Sequence, residues 1–478
     1  MGRIARNYLY NIAYQLLVII TPIITAPYLA RVLGDQNLGI YSYVSSSGNV
    51  ITTLSLLGIY AYGNRQAAYV RDSRETLTQT FWEIMLTRGV LGLIGTVLYG
   101  IYAWLNHAFT FYFLIYYPYI LAQFLDCSWL FVGVEDMRPA VMKNFFARLV
   151  NVAGIFLLVR SREDVWIYLL LLALTLLTAD LSVYFQLPKY VDRPREDRRN
   201  IPAHIRGSLH LFLPQVAALF YLQVDKVLLE WLTGSTSQVA YYDQAEKLIN
   251  IPLTLITVTS TVMMPRLANE FRNGRKDQIQ ALLEKAGRFT LLMAFPLMFG
   301  LACIARQLIP WYLGDAFLST ATGMLLLSPI VLFNSLAGIS GQQYFTATDQ
   351  TEILLRAYGS AALLNVAADL LLIPSMGYAG AAIASVLSSL VSVLIQYSVL
   401  RRQVSLRALP GAGVRYGVGG LVMAGVLLLL YHAAPAAPLT TVAQILTGAA
   451  VYLVYLILLR DSLLREALTL LRRRGRSS

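Results

Sequence analysis

Long apolar runs, broken at regular intervals by short polar or basic segments, make up nearly the whole of this 478-residue chain. A helix needs about 20 mostly apolar residues to cross a bilayer. Fourteen runs meet that length or approach it: 8–30, 39–62, 81–104, 109–132, 143–160, 165–187, 208–232, 239–264, 286–309, 318–342, 351–373, 377–400, 412–432 and 439–460. Several connections, such as 106–108, 233–238 and 375–376, are too short to be domains. The pattern predicts an all-α polytopic membrane protein.

Composition agrees. The chain is 57% hydrophobic and 13% charged, where a soluble domain carries about 25% charge. Its net charge of +12 is gathered in particular loops, so nucleic acid is not implied. With the N-terminus inside, the outer loops hold only Arg31, Arg160 and Arg162, while most of the 38 lysines and arginines fall in inner segments. That asymmetry follows the positive-inside rule and supports an even number of spans with both termini cytoplasmic. The two cysteines, Cys127 and Cys303, lie in separate apolar runs and form no CxxC motif. The N-terminal run is too long, and lacks a small-residue cleavage site, for a signal peptide.

Three inner segments are longer. PKYVDRPREDRRNIPAHIR reads as a linker between two lobes, RLANEFRNGRKDQIQALLEKAGR as a surface helix, and the basic C-terminal tail as a segment lying on anionic headgroups. The division expected is 1–187 as the N-terminal lobe, 188–207 as the basic linker, 208–400 as the C-terminal lobe, 401–460 as two accessory helices and 461–478 as the tail. A weak internal repeat supports two lobes. PYLARVLGDQNLGIYSYV and KVLLEWLTGSTSQVAYYDQ align at an offset of 200 residues, matching Gly34 to Gly234 and Tyr41 to Tyr241. Six spans separate the copies, so they share one orientation, as in parallel-repeat transporters.

No phosphate-binding GxxxxGK[ST] and no HExxH occurs. His107, His204, His210 and His432 form no cluster and read as surface histidines. No metal or cofactor is expected. The candidate chemistry is instead the set of ionisable residues inside the spans. Glu83, Arg88, Asp126, Arg148 and Asp180 lie in the first half; Asp225, Lys226, Glu230, Asp243, Glu246, Lys247 and Asp369 lie in the second. Such groups are costly in hydrocarbon, so they pair with one another or face a hydrated cavity. Lys226 with Glu230, and Asp243 with Lys247, are four apart on one helix face and fit local pairs. Arg88 and Arg148 are expected to pair with Asp126 and Asp180. The 30 tyrosines fit interfacial belts, and some fit stacking on sugar rings.

PYLARVLGDQNLGIYSYV, LLGIYAYGNRQAA, DKVLLEWLTGSTSQVAYYDQAEKL, MMPRLANEF and NVAADLLLIPSMGYAGAAIASVLSSL resemble the polysaccharide transporter, or Wzx-type oligosaccharide flippase, family. That family shares a superfamily with the multidrug exporters and the lipid II flippase. The resemblance covers nearly the whole chain and implies a MATE-like fold of two six-helix lobes plus two accessory helices. It implies movement of undecaprenyl-diphosphate-linked oligosaccharide from the inner to the outer leaflet of the bacterial cytoplasmic membrane by alternating access, for capsular or other surface polymers. Its partners would be that substrate, membrane lipids, and the polymerase and glycosyltransferases of the pathway, with the chain acting as a monomer.

On this reading Arg65, Arg88, Arg148, Lys226 and Lys247 are the candidate cations for the diphosphate. Arg31 and Arg266 are weaker candidates at helix ends. Asp225, Asp126, Asp180 and Asp369 are the candidates for gating or ion coupling. Relatives place basic residues in the first helix, where this chain has Asn11, Gln15 and Thr21 instead. A multidrug antiporter of the same fold, or a membrane-embedded polymerase or transferase, are the alternatives.

Overall fold

The computed structural model describes residues 3–193 and 200–466. The linker core 194–199, the tail from 467, and the side chains of Asn11, Gln15 and His210 lie outside the described residues. The described chain is helical throughout its ordered elements, as the apolar runs predict. It divides into two compact units, one up to Ala240 and one from Tyr241.

The first unit holds α1 (Arg3–Leu56), α2 (Ile59–Val70), α3 (Arg74–Leu105), α4 (Thr110–Leu125), α5 (Ser128–Gly133), α6 (Arg138–Leu158), α7 (Val165–Tyr184), α8 (Ile201–Leu222) and α9 (Val224–Thr233). A straight α1 of 54 residues would be about 80 Å long, against roughly 30 Å of hydrocarbon. Gly34 breaks it, at φ 76° and ψ 177°. Its repeat partner Gly234 caps α9 at φ 62°. Both matched glycines therefore hold the positive φ that a residue with a Cβ adopts only under strain. α4 packs on α7, α6 on α7, and α1 on α3, α4 and α6. α8 packs on α1, α2 and α3, which groups it with the first unit, although the sequence division starts a second lobe at 208.

The second unit contains most of α10 (Thr236–Arg272), then α11 (Lys276–Tyr312), α12 (Leu318–Leu327), α13 (Pro329–Ala337), a π-helical turn over Gly338–Phe345, α14 (Thr351–Met376), α15 (Tyr378–Gln403), α16 (Ala408–Tyr431) and α17 (Pro438–Leu458). α10 and α11 meet at a tight turn, so the charged segment between them is the ends of two long helices and not the separate surface helix expected. α16 and α17 pack on α11 through a core of Tyr416, Met423, Tyr452 and Leu456.

Among the described residues eight helices are long and apolar enough to cross a membrane, or nine counting one pair bent by 46° over 315–345. The remaining expected spans lie where helices are interrupted or polar. Runs 8–30 and 39–62 share the kinked α1; 109–132 is split at Asp126–Cys127, and 208–232 at Gln223. Run 239–264 carries Asp243, Glu246 and Lys247. The outward faces are apolar: Leu371 is 76% exposed and Leu429 85%, a surface suited to lipid.

Candidate functional site

The break between α4 and α5 is built by charge. When a helix ends, its last carbonyls lose their intrahelical partners, and in hydrocarbon each unsatisfied group costs several kcal/mol. Here side chains from other helices supply the donors. Arg88, in the middle of α3 and 1% exposed, donates from Nη2 to the Gln123 carbonyl at 2.5 Å and from Nε to the Phe124 carbonyl at 3.3 Å. The Tyr184 hydroxyl, at the end of α7, donates to the Leu125 carbonyl at 2.7 Å. On the other side of the break, Asp126 Oδ1 accepts from the Ser128 amide at 3.0 Å and the Ser128 hydroxyl at 2.6 Å, opening α5. Trp129 then anchors that six-residue helix, stacked on Phe81 at 5.6 Å.

Lys143 completes the centre. From α6 its ammonium donates to Asp126 Oδ1 at 2.7 Å and to Asp180 Oδ1 on α7. The side chains of Lys143 and Asp180 are 5% and 3% exposed. Two cations, Arg88 and Lys143, thus balance two carboxylates, Asp126 and Asp180, across α3, the α4–α5 break, α6 and α7. A balanced, hydrogen-bonded set is the form in which buried charge persists.

This arrangement corrects the expected pairing of Arg88 and Arg148 with the two aspartates. Lys143 takes both carboxylates. Arg88 spans carbonyls instead, because the break leaves them without amide donors. Arg148 donates to the Val18 carbonyl of α1 at 3.2 Å. Sequence reasoning passed over Lys143 because it opens an apolar run. One signal marked it: it is the only lysine among the first 188 residues.

A second polar cluster was also missed. His204, read as a surface histidine, is 8% exposed. It lies 3.1 Å from the Tyr62 hydroxyl through Nδ1 and 2.7 Å from Glu83 Oε2 through Nε2. It joins the start of α8 to α2 and α3, next to a linker held by Arg74 to Asp192 at 2.8 Å and by Trp82 Nε1–H to the Asp192 carbonyl at 2.9 Å. His107 and His432 are exposed, as expected. The tyrosines depart from a simple belt. Tyr43, Tyr99, Tyr116 and Tyr416 are buried, and Tyr28, Tyr99, Tyr452 and Tyr455 donate to carbonyls of other helices.

The other candidates are dispersed. Arg65 is exposed on α2. Asp225 and Lys226 are buried in the first turn of α9, where the helix N-terminus favours the carboxylate. Lys247 lies 2.5 Å from Asp243, forming the i, i+4 pair expected. Asp369 is buried on α14, one turn from Asn365, whose side-chain amide makes no hydrogen bond among the described residues. Arg31 is exposed on α1 at the turn before Gly34, and Arg266 is exposed on α10.

The second unit carries a groove of about 790 Å³ between the middle of α10, α11, α16 and α17, lined by residues such as Leu297, Leu301, Met423, Gly448, Tyr452 and Leu456. Lys285 and Glu466 pair at its rim at 2.5 Å, and Arg288 donates to the Ser462 hydroxyl at 2.6 Å. Its walls are almost wholly apolar, which suits a hydrocarbon chain.

Comparison with known proteins adds two family matches. Residues 4–271 match the profile of the family described as "Polysaccharide biosynthesis protein", and residues 141–448 that of "Lipid II flippase MurJ". An Escherichia coli (strain K12) protein named as an O-antigen transporter is 21% identical over 373 residues, covering 76% of this chain and 88% of its own. A Haloferax volcanii protein named as the low-salt glycan biosynthesis flippase Agl15 is 24% identical over 290 residues, 59% of each chain. Among solved structures, the lipid II flippase MurJ in an inward closed conformation superposes with a TM-score of 0.77 at 16% identity, over 95% of this chain and 99% of its own. An inward-facing multidrug resistance MATE family transporter gives 0.59 at 11% identity, over 86% and 99%. At these identities the structural matches speak to the fold.

Proposed function

The chain belongs to the polysaccharide biosynthesis protein family, and from that premise we propose that it is a flippase for lipid-linked oligosaccharide. It moves a polyprenyl-diphosphate-linked repeat unit from the cytoplasmic to the outer leaflet of a bacterial plasma membrane by alternating access. Both termini are cytoplasmic. The working parts are the lobes 1–187 and 208–400, joined by the linker 188–207.

The observation that carries the reading is the apolar groove of the second unit, within a chain whose interior also holds buried ionic groups. A lipid-linked sugar has two incompatible parts. Its hydrocarbon tail favours an apolar surface, and its diphosphate and sugars need polar partners. The groove on α11, α16 and α17 suits the tail, which gives the accessory helices 401–460 a task. Arg65, Arg148, Lys226 and Lys247 are the cations assigned to the diphosphate. Arg88 is reassigned from substrate contact to holding the α4–α5 break. Asp225 and Asp369 are assigned to ion coupling, and Asp126 and Asp180, through Lys143, to gating. A drug exporter handles small amphipathic molecules and has no need of a long apolar groove. A polymerase would change the substrate chemically.

Deleting the gene in its native host and locating the lipid-linked oligosaccharide tests the reading. Accumulation of single repeat units on the inner leaflet is expected. Single, unpolymerised units displayed on the outer leaflet would overturn it in favour of a polymerase.

A further inference from the structure

Two cavities adjoin at the N-terminal end of α6, far in sequence from the groove described above. The first, about 440 Å³, is lined by polar side chains including Asp136, Arg138, Gln186, Lys189 and Tyr190. The second, about 330 Å³, runs between α6 and α7 past Phe146, Ala147, Val150 and Ala179, and reaches Lys143. Pro139, Met142 and Gln186 line both, so they form one continuous recess with a polar head and an apolar body. Arg138 and Lys189 are exposed at the head, and neither makes an ion pair among the described residues. Asp136 also faces the head and accepts from the Tyr190 hydroxyl at 2.7 Å. α6 begins there with no side-chain N-cap and with Pro139, which has no N–H, as its second residue, so it is the positive end of its dipole that adds to the two cations. Phe146 and Val150 are more than half exposed, leaving the apolar body open to an acyl chain.

We propose that this recess is a binding site for one anionic glycerophospholipid. The phosphodiester sits at Arg138, Lys189 and the α6 N-terminus, and an acyl chain lies in the α6–α7 groove. Charge complementarity at the head, joined to an apolar body of the same recess, selects this occupant. A free phosphate would leave the groove empty, and a zwitterionic lipid would bring no net charge to two unpaired cations. The acyl chain passes Lys143 on its way from the head to the apolar body, so occupancy excludes water from the Lys143–Asp180 pair and strengthens it. The site stands independently of the transport reading.

The test is native mass spectrometry of the purified full chain titrated with phosphatidylglycerol, with phosphatidylcholine and inorganic phosphate as comparison ligands. One saturable phosphatidylglycerol is expected, retained in preference to phosphatidylcholine. A surface basic residue contributes about 1 kcal/mol to anionic-lipid attraction, so R138A/K189A should weaken the binding by about thirtyfold. Ala147→Trp, which fills the groove, should also weaken it, and inorganic phosphate should not compete. Unchanged phosphatidylglycerol binding in R138A/K189A would overturn the proposal, as would equal binding of phosphatidylcholine. Competition by inorganic phosphate would reduce the recess to a phosphate site, and preferential binding of a polyprenyl diphosphate there would reassign it to substrate; either result also overturns the proposal.

Discussion

Lys143→Met removes the one ammonium that holds Asp126 and Asp180 together. In the native chain the buried set is neutral: Arg88 and Lys143 against two carboxylates. The substitution leaves it with one excess negative charge. The methionine side chain fills nearly the same space, so the loss is electrostatic and not a cavity. Removing one partner of a buried ion pair costs roughly 3–5 kcal/mol, and the side-chain exposures of 5% at Lys143 and 3% at Asp180 place this pair in that class. Asp180→Asn alone leaves Lys143 its 2.7 Å contact with Asp126 and should cost about 1.5–3 kcal/mol, the worth of a hydrogen bond to a charged group. The double variant restores neutrality, with Arg88 facing Asp126. Its loss should therefore be smaller than the sum of the two single losses by about 2 kcal/mol, within the range measured for residues in contact. Equilibrium unfolding of the four purified proteins in one detergent supplies the cycle. Additive losses, or a Lys143→Met protein as stable as wild type, would refute the claim that Lys143 neutralises the centre.

Arg88→Met strips donors from the Gln123 and Phe124 carbonyls and should destabilise by roughly 3 kcal/mol or more, with amide exchange accelerating first over 122–128. His204→Ala leaves Glu83 and Tyr62 without their histidine partner. It should cost about 1–3 kcal/mol, read by thermal unfolding, while His204→Gln recovers part of the loss. Ala449→Trp projects an indole into the apolar groove from an exposed position on α17. Displacing about two methylenes of a bound chain costs roughly 1.6 kcal/mol, so transport should fall more than tenfold at unchanged protein abundance.

Fold class was legible because lipid imposes a single constraint along the whole chain: apolar runs of helical length. Gly34 and Gly234 were legible for a different reason, since a turn needing positive φ restricts residue choice strongly. The α4–α5 break was hidden. FYFLIYYPYILAQFLDCSWLFVG stays apolar across it, and the groups that make the break tolerable, Arg88 and Tyr184, come from 36 and 59 residues away. Local pairing was legible for Asp243 and Lys247, one turn apart, but the other i, i+4 pair expected, Lys226 with Glu230, does not form an ion pair. Pairing was not legible where it depends on which helices become neighbours, as for Lys143 with Asp126 and Asp180. His204 misled for the same reason: the basic linker beside it in sequence says nothing about Glu83, which is 121 residues away. The surface helix expected after span eight failed because two long helices project beyond their apolar cores, and composition alone cannot separate that from a third element.

The central claim is vectorial movement of an intact lipid-linked sugar. It is tested most directly by placing the purified chain in vesicles loaded with a fluorescent polyprenyl-diphosphate oligosaccharide and following its accessibility to an external, membrane-impermeant glycosidase. With the protein present, the protected inner-leaflet pool should become cleavable, and it should do so more than tenfold more slowly in vesicles holding the Ala449→Trp variant. A protected pool that remains protected with the wild-type chain, or a labelled oligosaccharide that grows or changes chemically without becoming accessible, would contradict the account.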